Sequence, residues 1–270
     1  MMKKTVSVLG CGWLGLPLAT HLTQNGWQVK GSTTSDSKLK LLKEKEIDPY
    51  LIDLTKEADL PKDFFDSDYQ VLNIPPSKLM RKTESYQPLI ECLSEVISSK
   101  VVFISSTSVY KENNGIVNED NTDAIIKSEN TLLDIERMFQ KAIPEITILR
   151  FGGLVGGVRY PSRFFTPDTR LDGYNQPVNL IHLDDCIQII DRILTKDIFG
   201  EVFNGVADTH PDRKTFYTKA ARLKGQEPPS FSDRSLSYKI VSNQKVKDVL
   251  GIKFMHPDLL SMLEDVDLWS

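Results

Sequence analysis

The chain has 270 residues, of which 40% are hydrophobic and 26% are charged, a balance typical of a soluble globular protein. Its net charge of -4 gives no general attraction to nucleic acid or to an anionic membrane, so neither is an expected partner. The three cysteines, Cys11, Cys92 and Cys186, are widely spaced, which excludes a disulfide or zinc framework, and the sequence predicts no metal site. Because no apolar stretch is long enough for a signal peptide or a membrane span, we expect a cytoplasmic protein.

A glycine-rich turn separates the first predicted strand from the first predicted helix. Strand residues 5–9 end in Gly10-x-Gly12-x-x-Gly15, leucines spaced four apart follow, and a second strand returns after an Asn-Gly stop. Glycines in this context permit a sharp turn and close approach of a pyrophosphate, while the amino end of the helix attracts the anion. The pattern predicts dinucleotide binding, with a turn that only packs as the alternative. The expected cofactor contacts are Gly10, Cys11, Gly12, Trp13, Leu14 and Gly15.

The end of the second strand is where a dinucleotide-binding fold selects its cofactor. An acidic residue there would bind the ribose hydroxyls and repel a 2′-phosphate, but the strand ends in hydroxyl side chains instead. Asp36 falls past the strand, where capping of the next helix is its expected role. The segment therefore favours NADP over NAD, and NAD stays open. The contacts expected here are Thr33, Thr34, Ser35 and Lys38.

Two further strands are expected to end beside the cofactor. The third, around residues 50–52, ends at Asp53, whose carboxylate either reaches the adenine edge or is simply solvated. The fourth begins at Tyr69 and is broken by prolines that cannot donate to a ladder. Its end lies at the carboxyl edge of the predicted sheet and adds Ile74, Pro75 and Pro76 to the expected cofactor contacts.

The rest of the first half continues the alternation of strands and helices. A helix over 84–98 leads to an apolar strand over 100–104, and a helix over 128–141 leads to a strand over 145–150. Strands that alternate with helices at this spacing form a parallel sheet with right-handed crossovers. The predicted fold class is therefore α/β, a Rossmann doubly wound parallel sheet.

After Arg150 the pattern changes to a long section rich in glycine, proline and aromatic residues. Arg159 and Arg163 lie in it, and their guanidinium groups are suited to an anionic or nucleotide-like substrate. Salt bridges of scattered loop arginines are the alternative. A strand over 178–182, helices over 186–194 and 213–224, a strand over 201–205 and a last helix after residue 257 complete the predicted elements.

Five motifs in order resemble the extended short-chain dehydrogenase/reductases, and most closely the NAD(P)-dependent epimerase/dehydratase group related to nucleoside-diphosphate-sugar epimerases. They are GCGWLG at residue 10, IPPS at 74, SSTSVY at 105, RFGGLVGGVR at 150 and NLIHLDD at 179. The resemblance implies an oxidoreductase that uses NAD(P) and acts on a sugar nucleotide or similar polar substrate. It also implies a Rossmann domain of 1–150 plus about 178–205, a smaller discontinuous substrate domain of about 151–177 and 206–270, and a possible homodimer formed through helix 128–141.

The family's catalytic Tyr-x-x-x-Lys dyad is absent. When Glu136 is aligned with the family's glutamate, Ser128 stands at the tyrosine position and Leu132 at the lysine position. Ser106 matches the family's catalytic hydroxyl. The resemblance places Ser105 at the cofactor and Thr107 and Ser108 at the substrate. Two hypotheses follow: an enzyme with acid/base groups from outside the dyad, or a non-catalytic NADP-binding sensor or regulatory protein on a degenerate fold.

Overall fold

The computed structural model describes residues 4–56, 60–74, 82–95, 100–121, 131–166, 168–234 and 236–269. The chain divides into two compact units. Unit 1 consists of Met1–Ser105, Ser128–Leu149 and Ile190–Val202. Unit 2 consists of Ser106–Lys127, Arg150–Ile189 and Phe203–Ser270.

Short β-branched and apolar runs form the strands. They are β1 (Thr5–Leu9), β2 (Gln28–Thr33), β3 (Asp48–Leu51), β4 (Tyr69–Leu72), β5 (Lys100–Ser106), β6 (Gly115–Val117), β7 (Ile146–Phe151), β8 (Gly153–Val155), β9 (Arg170–Leu171), β10 (Leu180–His182), β11 (Val202–Gly205), β12 (Ser230–Phe231) and β13 (Lys239–Val241).

The α-helices follow amphipathic segments. They are α1 (Gly15–Gln24), α2 (Leu39–Glu44), α3 (Lys62–Phe65), α4 (Gln87–Glu95), α5 (Thr131–Ala142), α6 (Leu183–Lys196), α7 (Arg213–Leu223), α8 (Gln244–Leu250) and α9 (Leu259–Met262). Short 3-10 turns occupy Asp36–Lys38, Thr83–Tyr86, Thr107–Val109, Pro161–Phe164 and Val266–Trp269. Among the helices that the structure describes, none combines the length and apolarity needed to cross a membrane.

Seven strands form the central sheet in the order β11-β7-β5-β4-β1-β2-β3. β1 lies at the switch point, because it pairs in parallel with β2 on one side and with β4 on the other. The carboxyl ends of β1, β2 and β4 therefore meet at one edge, which is where ligands of doubly wound sheets bind. The predicted Rossmann sheet is confirmed.

Several boundaries differ from the sequence-based prediction. β3 begins at Asp48 and ends at Leu51, two residues before Asp53, and α6 begins at Leu183 rather than at residue 186. The polar region after residue 111 contains β6, which pairs in parallel with β13. Strands of three residues are too short for an alternating pattern, so neither of these two was predicted.

Each unit has its own apolar core. The core of unit 1 includes several aromatic side chains: Phe103 stacks on Phe139 with ring centroids 4.8 Å apart, and Phe64 and Phe65 are fully buried. The core of unit 2 gathers residues from β8, α7 and α9, among them Val155, Phe216, Leu259 and Met262. Burial of this kind contributes roughly 1.5–3 kcal/mol per large side chain, which holds the surrounding strand ends in place.

Candidate functional site

The glycine turn after β1 is held by β2 and β4. Gly10 N–H donates to Ser32 Oγ at 2.9 Å, and Cys11 N–H donates to the Ser32 carbonyl at 2.7 Å. From the other side, Asn73 Nδ2 donates to the Gly10 carbonyl at 2.9 Å. The turn is thus fixed by the strands next to β1 as well as by its own conformation.

The three glycines of the turn have different surroundings. A Cβ on Gly10, where φ is +98°, would lie 2.4 Å from the Asn73 carbonyl oxygen, and a Cβ on Gly15 would lie 2.1 Å from the Gly10 oxygen. A Cβ on Gly12 would meet no described atom within 4 Å. Gly10 and Gly15 are therefore required by the fold itself, whereas Gly12 leaves an open face on which a phosphate has room to lie against the backbone.

The amino end of α1 lies beside this open face. Leu14 is the N-cap residue, no side chain caps the helix there, and the first turn contains no acidic residue. The partial positive charge of this end is thus left for an anion to offset. Leu14 is buried and Trp13 is half-buried, so Leu14 contributes packing and backbone rather than a polar side chain.

Cys11 packs inside the turn. Its side chain is buried, its sulfur lies 3.7 Å from the Val8 carbonyl, and burial raises the pKa of the thiol to about 12. A thiol that stays protonated is neither a nucleophile nor a metal ligand at neutral pH.

The end of β2 presents hydroxyl groups and a lysine. Thr33 Oγ1 accepts a hydrogen bond from Ser35 N–H at 3.2 Å, and Thr34 and Lys38 are exposed. The expected capping role of Asp36 is wrong, because the 3-10 turn starts at Asp36 and Ser35 is the N-cap residue. No acidic residue occupies the end of β2 itself.

Asp53 is held by its own loop. Its carboxylate accepts from Thr55 N–H at 3.1 Å and from Thr55 Oγ1 at 2.6 Å, and it pairs with Lys56 Nζ at 2.9 Å. The hydrogen bonds from Thr55 and Lys56 lower the pKa of Asp53 to about 2. The Asp53 carboxylate is therefore bound within its own loop rather than simply solvated, and its contact with the adenine edge stays a prediction.

At the end of β5, Ser105 is buried and its hydroxyl donates to Glu136, which is fully buried on α5. Leu132, one turn earlier on the same helix, packs against the apolar core of unit 1, and so does Ile74 after β4. Leu132 therefore supplies no polar group at the lysine position. Ser128, Pro75 and Pro76 lie outside the described residues.

Ser106 is the last residue of β5 and the N-cap of the turn that follows. Its Oγ accepts a hydrogen bond from Ser108 N–H at 3.1 Å. Thr107 is buried, whereas Ser108 is exposed. Because the oxygen of Ser106 accepts from the backbone, its hydroxyl hydrogen remains available for a donor role.

A buried polar cluster in unit 2 has no counterpart in the sequence-based predictions. Tyr110 Oη donates to Asn204 Oδ1 and accepts from Arg150 Nη1, both at 2.9 Å, and Asn204 N–H donates to Glu119 at 2.7 Å. Burial raises the pKa of both Tyr110 and Glu119. Tyr110 is thus a buried phenol whose hydroxyl is paired inside unit 2.

The two arginines of the glycine-rich section are on neighbouring turns of unit 2. Arg163 is exposed, donates from Nη1 to the Val158 carbonyl at 2.8 Å and lies 5.9 Å from the Phe164 ring centroid. Arg159 is half-buried, and burial together with the charge of Arg163 lowers the pKa of its guanidinium. A cavity of about 200 Å³ lies beside this section and includes Phe164 and Tyr217 in its lining. Two guanidinium groups that repel each other favour an anion between or beside them.

No family model matches the chain. Protein YeeZ of Escherichia coli (strain K12) is 34% identical to it over 276 residues, which span 97% of this chain and 99% of the relative. The same comparison with Protein YeeZ of Escherichia coli O157:H7 gives 34% identity.

Solved structures share the fold at lower identity. A functionally unknown conserved protein from Silicibacter pomeroyi DSS superposes with a TM-score of 0.83 at 18% identity, and 98% of each chain is covered. UDP-glucuronic acid 4-epimerase from Bacillus cereus, in complex with UDP-glucuronic acid and NAD, gives a TM-score of 0.77 at 21% identity over 96% of each chain.

At these identities the likeness establishes the fold, and it confirms the fold that the five motifs predicted. The relative that matches along almost its whole length establishes the kinship. The chain belongs to the same family as Protein YeeZ, and its fold is that of the extended short-chain dehydrogenase/reductases.

Proposed function

We propose that this chain is an NADP-dependent, epimerase/dehydratase-like oxidoreductase that acts on a sugar nucleotide or a similar polar substrate. The observation that carries the proposal is the open face of Gly12 beside the uncapped amino end of α1. The Bacillus cereus epimerase of the same fold holds NAD and UDP-glucuronic acid, which supports a dinucleotide and a sugar nucleotide as the ligand classes.

The cofactor contacts follow from the strand ends of unit 1. Backbone N–H groups of residues 10–15 bind the pyrophosphate, and the hydroxyls of Thr33, Thr34 and Ser35 with Lys38 bind a 2′-phosphate, which no carboxylate at the end of β2 repels. NAD is the second choice. Ile74, Pro75, Pro76 and Ser105 line the remaining length of the cofactor. When bound, the nicotinamide supplies hydride transfer.

The substrate contacts follow from unit 2. Ser106 donates its hydroxyl hydrogen to the reacting oxygen, because its own oxygen accepts from Ser108 N–H. Thr107 and Ser108 border that position. Arg159 and Arg163 bind the anionic part of the substrate, for which planar guanidinium groups provide paired donors.

The proposed cofactor and substrate contacts assign a separate role to each domain. Residues 1–150 with about 178–205 bind the cofactor, and about 151–177 with 206–270 bind the substrate. Helix α5 is the surface through which we expect a homodimer to form.

A second candidate function rests on Leu132. This side chain packs on an apolar core, so it neither lowers the pKa of an acid nor binds a ribose. If no other group supplies the acid, the chain is an NADP-binding sensor or regulatory protein without hydride chemistry.

One titration separates these functions from a nucleotide-free scaffold. Purified protein is titrated with NADPH, NADH, NADP and NAD, following nicotinamide fluorescence and the thermal midpoint. We expect tighter binding of the 2′-phosphorylated pair, and absence of binding by all four overturns both functions. Turnover of UDP-glucose or UDP-glucuronic acid that Ser106→Ala abolishes supports the enzyme. Cofactor that binds without changing redox state supports the sensor.

A further inference from the structure

Three side chains of unit 2 form a cluster outside the sites described above. His182 ends β10, Asp184 lies in the first turn of α6, and His256 follows α8. Asp184 Oδ2 lies 3.3 Å from His182 Nδ1 and 3.1 Å from His256 Nε2. One nitrogen of each imidazole and one carboxylate oxygen all lie within 4.8 Å of one another.

The His182 imidazole lies against both the backbone and the side chain of Asp184. Asp184 N–H approaches His182 Nδ1 at 3.2 Å, and Asp184 Oδ2 lies 3.3 Å from the same nitrogen. When Nδ1 carries a hydrogen, that hydrogen lies between the two atoms, and a cation bound by both atoms would take its place.

Two of the three separations are close to those of a metal site. Bonds of roughly 2.0–2.2 Å to nitrogen and oxygen place tetrahedral zinc ligands about 3.3–3.6 Å apart. The two contacts of Asp184 Oδ2, at 3.3 and 3.1 Å, are close to that spacing before any ion is bound.

The cluster is held in place by buried groups. Fully buried Asp185 accepts from Met255 N–H at 2.6 Å and from His256 N–H at 3.2 Å, which fixes the backbone that carries His256. The His182 ring is buried against Gly156, where a Cβ would lie 2.6 Å from Nε2. Within the described part of the chain that Nε2 has no hydrogen-bond partner. Packing therefore holds the ring in one place, with Nδ1 beside Asp184 Oδ2.

We propose that His182 Nδ1, Asp184 Oδ2 and His256 Nε2 bind one divalent transition metal ion of the zinc class. Two imidazoles and one carboxylate suit zinc, nickel or copper rather than magnesium or calcium. Asp184 is 42% exposed, so the fourth position faces solvent and takes water. The partial positive charge at the amino end of α6 opposes a cation, and the two carboxylates in its first turn offset it. The ion joins the start of α6 to the segment after α8.

The test uses the full chain after dialysis against EDTA. Zinc is titrated by calorimetry, and Co²⁺ is followed by its visible absorption, which is intense only in four-coordinate sites. We expect one ion per chain with nitrogen and oxygen ligation, and a higher thermal midpoint with zinc than without it. No binding, or weak binding of several ions without a four-coordinate Co²⁺ spectrum, overturns the proposal.

Variants identify the ligands. His256→Gln and Asp184→Asn are expected to weaken zinc binding at least tenfold, because even outer-shell partners of a metal change affinity by about 10–100-fold. His210→Gln is the matched control, since this half-buried histidine of the same unit contacts the Val178 carbonyl instead. Circular dichroism of the metal-free variants shows that they are folded. If His256→Gln binds zinc as tightly as the parent and as His210→Gln, the site is not this cluster.

Discussion

Asn73 and Gly10 contact each other twice. Asn73 Nδ2 donates to the Gly10 carbonyl at 2.9 Å, and the Asn73 carbonyl oxygen occupies the place against which a Cβ on Gly10 would lie at 2.4 Å. Asn73 directly follows β4, the neighbour of β1 in the sheet. It therefore fixes the position of the turn and also requires a glycine at position 10. No sequence motif around Asn73 predicts its contact with Gly10.

Replacing Asn73 by alanine removes the donor and leaves the Gly10 carbonyl without it. We expect the free energy of unfolding to fall by about 0.5–1.5 kcal/mol, the net value of one such hydrogen bond, and dinucleotide affinity to fall several-fold. Urea denaturation and fluorescence titration measure the two effects. Gln24→Ala, at an exposed position of α1, is the control. Unfolding and binding that match this control would show that the turn holds itself.

Alanine at Gly10 should mainly lower stability, whereas alanine at Gly12 should mainly lower dinucleotide affinity. Gly10→Ala places a methyl 2.4 Å from a backbone oxygen at φ +98°, so we expect a loss of about 1–3 kcal/mol or more in stability. Gly12→Ala meets open space and should change stability by less than about 0.5 kcal/mol while it weakens dinucleotide binding. Denaturation and titration of both variants decide the matter. Equal destabilisation, or a Gly12→Ala protein with unchanged affinity, contradicts the assignment of the open face.

Tyr110→Phe tests the buried cluster of unit 2. The change removes the phenol oxygen that accepts from the buried Arg150 guanidinium and donates to Asn204. Loss of one acceptor by a buried charged donor should cost about 1–3 kcal/mol of stability. Chemical denaturation measures it, with Tyr174→Phe at an exposed ring as the comparison. An effect as small as that of Tyr174→Phe would mean that the cluster contributes no net stability.

The pH dependence at Asp53 has a definite sign. Its pKa of about 2 in the folded chain lies below the ordinary value of 3.8, so its stabilisation is complete above pH 3.8 and is lost as pH falls toward 2. Thr55→Val removes the hydroxyl donor and should raise the pKa toward 3.8. The carboxyl carbon resonance of Asp53, followed by NMR from pH 5 to about pH 1.5, reports both values. A midpoint that Thr55→Val does not move would assign the shift to Lys56 and the backbone N–H of residue 55.

The glycine turn and the doubly wound parallel fold were predictable because their signals are local. Gly10-x-Gly12-x-x-Gly15 is contiguous with its strand and its helix. The later βαβ units repeat the alternation of strand and helix, although not the glycines. The contacts that complete the sites are not local. Asn73 lies 63 residues from Gly10, and Glu119 lies 85 residues from the backbone N–H that it binds.

The cluster of His182, Asp184 and His256 illustrates the same limit, since 72 residues separate the last two. In the sequence each of these histidines is isolated: His182 directly precedes a helix, and His256 directly precedes a proline. Neither spacing resembles a metal-binding motif, and only the packing of the segment after α8 against the start of α6 brings them together.

Local opening of the glycine turn can be measured through chemical modification of Cys11. Its thiol is buried among the residues of the turn, and with a pKa of about 12 it reacts with a disulfide reagent only when the turn opens to solvent. The rate of modification at Cys11 therefore counts openings of this one loop, while half-buried Cys92 reports on α4. A ligand that closes over Gly12 would lengthen the lifetime of the free thiol without touching it.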